Sequence, residues 1–275
     1  MSAPTREHLG WIFRESGPSG ADHTVLLLPG ALATAAFYDD LVAEPTMSDG
    51  SIRFVATTLP GFGGTPAPED LSMESYARQA GALAAELGCD LVVGHSLGGN
   101  VAIEMVGSGA FSGAVVLLAP SFSRADESKF PRALDRLSVA LGHLPYSLML
   151  KLIGPAMKSS LPPHRRDALI AELKKNDARF LRRQTRLYLE YLDRHGTLAP
   201  RLCDSGVRAW VVFGADDEIG LTDDERDVLE KCPAVTLVTI PDAGHFALNQ
   251  KSGEIAKFVR AALEMWGAQA SFRGR

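Results

Sequence analysis

Residues 92–102 read VVGHSLGGNVA, a short apolar run that ends in three glycines placed around one serine. The apolar run is typical of a buried strand, and a segment with helical character follows it. A glycine-rich turn between a strand and a helix can bind a phosphate group, or it can present a nucleophile. The kind of turn therefore decides which fold and which chemistry this chain supports.

Two phosphate-binding motifs do not fit this turn. The dinucleotide-binding motif G-x-G-x-x-G fails because Ser96 occupies the position of the second glycine. Gly94 and Gly99 have the spacing of a P-loop, but Asn100 and Val101 stand where that motif has its lysine and its hydroxyl residue. The turn therefore lacks a cation for the phosphates and a ligand for magnesium.

The motif that fits is G-x-S-x-G, formed by Gly94-His95-Ser96-Leu97-Gly98. A serine at the apex of such a sharp turn has strained backbone angles and an exposed Oγ, and the flanking glycines let strand and helix pass close to each other. The N-terminus of the following helix favours a negative charge that develops beside it. We therefore predict that Ser96 is a nucleophile and that His95 packs beneath the turn.

Six continuously apolar runs predict strands that are buried on both faces, which is typical of a parallel sheet. They are TVLLL (24–28), IRFVAT (52–57), DLVVG (90–94), GAVVLLA (113–119), AWVVFG (209–214) and VTLVTI (235–240). Residues 73–87 and 255–266 have helical spacing of apolar residues. Because strand and helix alternate over 24–119 and again over 208–266, we predict an α/β fold with a doubly wound, mostly parallel sheet.

Residues 121–206 break this alternation and predict helices only. The expected helices lie at about 129–142, 145–158, 163–176 and 178–195. We therefore predict a core domain of residues 1–120 and 207–275 and a helical cap of residues 121–206. Residues 121–203 carry 16 Lys and Arg against 8 Asp and Glu. Such a basic cap either packs over an acidic body or attracts anionic substrates and acyl groups carried on phosphate-bearing molecules.

Charge, hydropathy and cysteine content exclude several classes of function. The net charge of −5 argues against a nucleic-acid-binding protein, and every apolar run is too short for stable membrane insertion. The three cysteines lack metal-ligand spacing, so we expect reduced thiols and no metal site. The first residues lack the pattern of a signal peptide, so we expect a cytoplasmic protein. The oligomeric state stays open, a homodimer included.

The segment VVGHSLGG resembles the nucleophile elbow of the α/β-hydrolase superfamily, and the resemblance extends over residues 8–266. It implies the α/β-hydrolase fold, with the helical cap inserted after the sixth strand. It also implies a Ser, acid, His order at the carboxyl ends of strands. The acid would be Asp217, by the family spacing Gly-x-x-Asp from Gly214, with the adjacent Asp216 as the alternative. The base would be His245 in PDAGHFAL, after the last apolar run.

The resemblance also implies an oxyanion hole made of two backbone N–H groups. One belongs to Leu97, the residue after the nucleophile, and the other to Ala31 in the loop PGALATAAF. The family usually has His-Gly where this chain has Pro29-Gly30. Since the donors are main-chain amides, the oxyanion hole can survive this departure.

These residues predict a serine hydrolase that acts through an acyl-enzyme on a small molecule. The leading substrate is an ester, lactone or thioester with a small, largely apolar acyl part. Hydrolysis of a carbon–carbon bond in a vinylogous diketone, acyl transfer and perhydrolysis would use the same triad. A ligand receptor that keeps the fold and turns over slowly is the non-enzymatic alternative. No metal or organic cofactor is implied.

Overall fold

The structure of the protein, a computed structural model, describes residues 5–8 and 10–273, the last six of these in backbone only. Its strands form one eight-stranded sheet in the order β1-β2-β4-β3-β5-β6-β7-β8. The strands are β1 (Thr5–His8), β2 (Trp11–Ser16), β3 (His23–Leu28), β4 (Ile52–Thr58), β5 (Leu91–His95), β6 (Ala114–Leu118), β7 (Ala209–Gly214) and β8 (Val235–Ile240). The pairs β1–β2 and β2–β4 are antiparallel and the other pairs are parallel. The predicted mostly parallel sheet is confirmed.

Helices cover both faces of the sheet. They are α1 (Asp39–Val42), α2 (Met73–Glu86), α3 (Leu97–Gly107), α4 (Lys129–Leu141), α5 (Leu144–Ala156), α6 (Arg166–Leu173), α7 (Ala178–His195), α8 (Ala199–Asp204), α9 (Asp223–Glu230), α10 (Ala247–Gln250) and α11 (Ser252–Arg273). Side chains of a strand alternate between the faces. Val92 therefore packs in the core with α2 and α3, whereas Val93 packs in the core with α1 and α11. This arrangement is the predicted doubly wound α/β fold.

The chain between β6 and β7 contains α4 to α8 and no strand over residues 119–208, all of which are described. The four predicted helices of this helical insertion are present as α4 to α7. Helices α4, α5 and α7 pack on one another, while α7 contacts α2 and α8 contacts α3. The division into a core domain and a cap stays a prediction. Over the described residues, none of the helices combines the length and the apolar character needed to cross a membrane.

Candidate active site

The turn between β5 and α3 holds Ser96 in a backbone conformation that L-residues rarely adopt. Its φ is 49° and its ψ is −120°, a strained combination that persists only where the surrounding structure enforces it. A Cβ atom on Gly98 would lie 2.1 Å from the carbonyl oxygen of Leu28. A Cβ atom on Gly94 would lie 2.4 Å from the carbonyl oxygen of Gly98. Both glycines are therefore required, because β3, β5 and α3 approach each other without room for side chains.

Asp217 and His245 form a pair at the same edge of the sheet. Asp217 follows β7, His245 follows β8 and Ser96 follows β5, and the carboxyl ends of parallel strands share one edge. The distance from Asp217 Oδ2 to His245 Nδ1 is 3.1 Å. The Asp217 side chain is fully buried, and its other oxygen accepts a hydrogen bond from the Ile219 amide at 2.9 Å. Since a carboxylate only accepts, His245 Nδ1 carries the proton and Nε2 is left as an acceptor.

The loops that carry this pair are held by main-chain contacts. The Asp216 amide donates to the carbonyl of Ala243 at 2.9 Å, and the Ala215 amide donates to that of Ile240 at 2.9 Å. Asp216 and Glu218 are both exposed, in contrast to the buried carboxylate of Asp217. Of the three adjacent acids, the structure therefore places Asp217 against the imidazole.

His95 connects the serine turn to the loop of His245. Its ring is buried, as expected for a residue beneath the turn, and its Nε2 lies 2.8 Å from the carbonyl oxygen of His245. A carbonyl only accepts, so Nε2–H is the donor. Burial, followed by the charge of the neighbouring His245, lowers the pKa of His95 from 6.5 to about 4. The neutral ring thus fixes the backbone of His245, a positioning contact that the sequence did not predict.

The loop after β3 brings its backbone against the serine. A turn runs from Gly30 to Ala33, closed by a 3.2 Å hydrogen bond between the Ala33 amide and the Gly30 carbonyl. A Cβ atom on Gly30 would lie 3.1 Å from the Ser96 Cβ. Within the described part of the chain, the amides of Ala31 and Leu97 have no hydrogen-bond partner. Leu97 is the first residue of α3, where an amide lacks an intrahelical acceptor.

Asn176 joins this loop to the helical insertion and was missed by sequence reasoning. The side chain is buried between α6 and α7. Its Nδ2 donates to the carbonyl of Leu32 at 2.8 Å, and its Oδ1 accepts from the Gly63 amide at 3.0 Å. One amide group therefore fixes both the loop after β3 and the loop that contains Gly63. A single Asn between two helices carries no pattern that could have predicted these tertiary contacts.

An apolar cluster joins the loops of the candidate site to the helical insertion. Leu32 and Phe246, which are neighbours of the predicted site residues, share a cluster with Phe37, Ile153 and Met157. No group of His, Cys, Asp and Glu side chains suited to hold a metal ion occurs among the described residues. The arrangement can therefore hold an apolar group beside a serine, an imidazole–carboxylate pair and two backbone donors.

Comparisons with known proteins give one family and many similar folds. A family model described as "Alpha/beta hydrolase family" matches residues 25–258. A comparison with curated proteins found no match.

Three solved structures illustrate the similarity of fold. A thermophilic esterase from Thermogutta terrifontis is 18% identical over 96% of this chain and 98% of its own, with a TM-score of 0.71. An esterase from Exiguobacterium antarcticum is 14% identical over 96% of this chain and 100% of its own, with a TM-score of 0.73. The thioesterase domain from the curacin biosynthetic pathway is 19% identical over 93% of this chain and 97% of its own, with a TM-score of 0.70. At these identities the likeness shows a shared fold.

Proposed function

Since the chain belongs to the alpha/beta hydrolase family, we propose that it is a serine hydrolase that cleaves a small ester, lactone or thioester with a largely apolar acyl part. Ser96 is the nucleophile, His245 the general base and Asp217 the residue that orients the imidazole. The observation that carries the proposal is the hydrogen-bonded pair of His245 and Asp217. The contact of His95 with the His245 backbone links this pair to the strained turn of Ser96. The esterases and the thioesterase with similar folds support the reaction class.

The reaction proceeds in two steps through an acyl-enzyme. Ser96 Oγ attacks the substrate carbonyl carbon while His245 Nε2 takes its proton, and the oxyanion is held by the amides of Ala31 and Leu97. When this intermediate collapses, the imidazolium returns the proton to the departing alcohol or thiol. A water molecule then attacks the acyl-enzyme, with His245 again as base, and releases the carboxylic acid and Ser96. Asp217 stabilises the positive charge of the imidazolium in both steps.

The first experiment tests the nucleophile. A fluorophosphonate probe should label Ser96 in the purified chain, as read by mass spectrometry of the labelled peptide. Ser96→Ala should abolish labelling and lower kcat for a p-nitrophenyl ester by roughly 10⁴–10⁶-fold, since loss of a catalytic serine removes the covalent route. The exposed Ser112 is the matched control, and Ser112→Ala should leave both readouts as in the parent. Unchanged hydrolysis in Ser96→Ala would refute the assignment.

A second pair of variants tests the acid. Asp217→Asn should lower kcat by about 10⁴-fold, because an amide in this place favours the wrong imidazole tautomer. Asp216→Asn alters an exposed carboxylate and should change kcat less than about twofold, as surface substitutions generally do. Steady-state kinetics at one pH, with folding checked by circular dichroism, gives both values. The opposite result would move the role to Asp216.

A substrate panel tests the acyl class. The apolar cluster of Leu32, Phe246 and Ile153 supports an apolar acyl group beside Ser96. The panel contains short and long p-nitrophenyl esters, lactones, acyl thioesters and a vinylogous diketone. Faster turnover of the diketone would identify a carbon–carbon bond hydrolase, and transfer to an added alcohol or peroxide would identify an acyltransferase or perhydrolase. Binding with very slow turnover throughout would identify a ligand receptor.

We extend the proposal to a cytoplasmic location. All three cysteines, Cys89, Cys203 and Cys232, are free, as expected in a reducing compartment. Fractionation of cells that express the chain tests this location.

A further inference from the structure

The hairpin formed by α4 and α5 exposes most of the large apolar side chains found on the surface. Among the described residues ten large apolar side chains are exposed, and seven of them lie on this hairpin. Six of the seven, here called the outer leucine face, are Phe130, Leu137, Leu141, Leu144, Leu148 and Leu152. Each of these six has 51–60% of its surface exposed. Large contiguous apolar patches are uncommon on proteins that contact only water, and they mark surfaces that bind something.

The outer leucine face is continuous along the hairpin. Leu144, Leu148 and Leu152 recur every four residues and so lie on one side of α5. Leu137 and Leu141 have the same spacing on α4, and Leu141 and Leu144 flank the turn at 142–143. On α4 this face borders the buried Leu134, so it begins at the edge of the contact with the core and continues over the exposed side of α5.

The same two helices carry more positive than negative charge. Their basic residues are Lys129, Arg132, Arg136 and Lys151. Within the described ranges, 5–8 and 10–273, none of these four forms an ion pair. The one acidic residue of the hairpin, Asp135, is neutralised by Arg186 at 3.2 Å. A chain with a net charge of −5 therefore carries, on the two helices of this apolar face, four basic residues without an ion pair.

We infer that the outer leucine face docks reversibly on a lipid surface that contains anionic lipid. Leucine and phenylalanine side chains enter the boundary between headgroups and acyl chains, while lysine and arginine bind the anionic headgroups. A second copy of the chain fits less well, because a twofold contact through this face would bring the same basic residues opposite one another.

Docking would also bring the lipid close to the candidate active site. The inner side of α5 contributes Ile153 to the cluster that contains Leu32 and Phe246. One helix therefore separates the outer leucine face from the apolar cluster of Leu32 and Phe246, which are neighbours of the candidate site residues. This consequence rests on the proposed function, whereas the docking itself does not.

Vesicle cosedimentation of the full chain tests the inference. The parent chain should sediment with vesicles of phosphatidylcholine and phosphatidylglycerol, and binding should fall in high salt or when phosphatidylglycerol is omitted. The double variant Leu148→Glu/Leu152→Glu should bind the anionic vesicles at least about tenfold more weakly, because charged side chains replace the apolar contact. The control Val228→Glu/Met265→Glu places the same two charges on exposed apolar positions of α9 and α11 and should bind as the parent does.

A second pair of variants tests the contribution of positive charge to vesicle binding. Arg136→Glu should weaken binding to anionic vesicles severalfold, whereas Lys257→Glu, an exposed position on α11, should not. No binding by the parent, or equal binding by the outer-face variants and their controls, would overturn the inference. So would a dimer in sedimentation equilibrium that Leu148→Glu/Leu152→Glu dissociates, since the face would then bind a second copy.

Failure of the docking and failure of the proposed function are distinguishable. Ser96→Ala should bind vesicles as the parent does, whatever its activity. The outer-face variants should hydrolyse a water-soluble ester at the parent rate, because the substituted side chains are exposed on the surface of the hairpin.

Discussion

Helices α3 and α5 have similar compositions and opposite surroundings. Each is short and mostly apolar, and each has one charged residue, Glu104 in α3 and Lys151 in α5. Ten of the eleven residues of α3 are buried, whereas only three of the thirteen residues of α5 are. A helix that is apolar all round is normally enclosed. Composition therefore predicts how much apolar surface a helix has. Whether that surface is covered depends on the position of the helix in the fold, which is beside the sheet for α3 and in the helical insertion for α5.

The charged residue of each helix reflects this difference. Glu104 is almost fully buried, with both carboxylate oxygens bonded to Arg201 at 2.7 and 2.8 Å and one of them also bonded to Tyr191. Lys151 is exposed. A buried charge is stable only when it is paired and hydrogen-bonded, whereas water solvates an exposed one. The two residues therefore differ in what their loss would cost.

The largest effect on stability is expected from breaking the ion pair between Glu104 of α3 and Arg201 of α8. Arg201→Met keeps the apolar stem but leaves Glu104 as an unpaired buried charge, which should lower the free energy of unfolding by about 3–5 kcal/mol. Lys151→Met is the matched change on α5 and should alter it by less than about 0.5 kcal/mol. Urea denaturation at neutral pH measures both. Equal effects in the two variants would contradict the contrast between the helices.

The sequence predicted the parts of the fold whose signal is local. The six continuously apolar runs became β3 to β8. Strands β3 to β7 are mostly buried, as strands covered on both faces require, whereas β8 is a half-exposed strand at the edge of the sheet and not the predicted fully buried one. Strands β1 and β2 were missed, since TREH is polar and exposed and WIFRES has only three apolar residues, one of which, Ile12, is half-exposed. Membership of the α/β-hydrolase family, predicted from VVGHSLGG, is confirmed.

In the candidate site, too, the residues with a local signal could be predicted and the tertiary contacts could not. Ser96 could be singled out because the backbone of its turn requires glycines at fixed positions, and the family order then selected Asp217 and His245. The contacts of Asn176 and His95 could not be predicted, because each joins segments far apart in the chain. The exposure of Leu144, Leu148 and Leu152 was equally hidden. Helical spacing alone does not show which of two apolar sides of α5 the fold covers.

The next prediction concerns how the pKa of His95, the residue before Ser96 and α3, makes stability depend on pH. Because the pKa of His95 is lowered to about 4 in the folded protein, the unfolded chain binds a proton between pH 6.5 and 4 that the folded protein does not. The free energy of unfolding should therefore fall as the pH falls through this range. The His95 contribution to that fall is about 3 kcal/mol.

The variant His95→Gln isolates this contribution. Glutamine can still donate a hydrogen bond to the His245 carbonyl but has no proton to gain in this range. Denaturation curves of the parent and the variant at pH 7 and pH 4 give the difference in pH dependence. If the variant keeps the full slope of the parent, other groups cause it and the buried, neutral state assigned to His95 is wrong.

The smallest effect is expected at the one glycine near the end of α5. A Cβ atom on Gly154 would meet its nearest neighbour, Ile170 Cγ2, at an ordinary contact distance of 3.5 Å. Gly154→Ala should therefore raise the free energy of unfolding by up to about 1 kcal/mol, because alanine restricts the unfolded chain and favours the helix. The matched change in α3, Gly98→Ala, would place Cβ only 2.1 Å from the Leu28 carbonyl oxygen. It should lower the free energy of unfolding by about 1–3 kcal/mol or more, because the neighbouring backbone must shift. The same Gly→Ala substitution should therefore change the free energy of unfolding in opposite directions in the two helices. If Gly154→Ala also destabilised the protein, strain of the new side chain against Pro155 or Ile170 would outweigh the gain in helix propensity, and the predicted difference in sign between the two helices would be wrong.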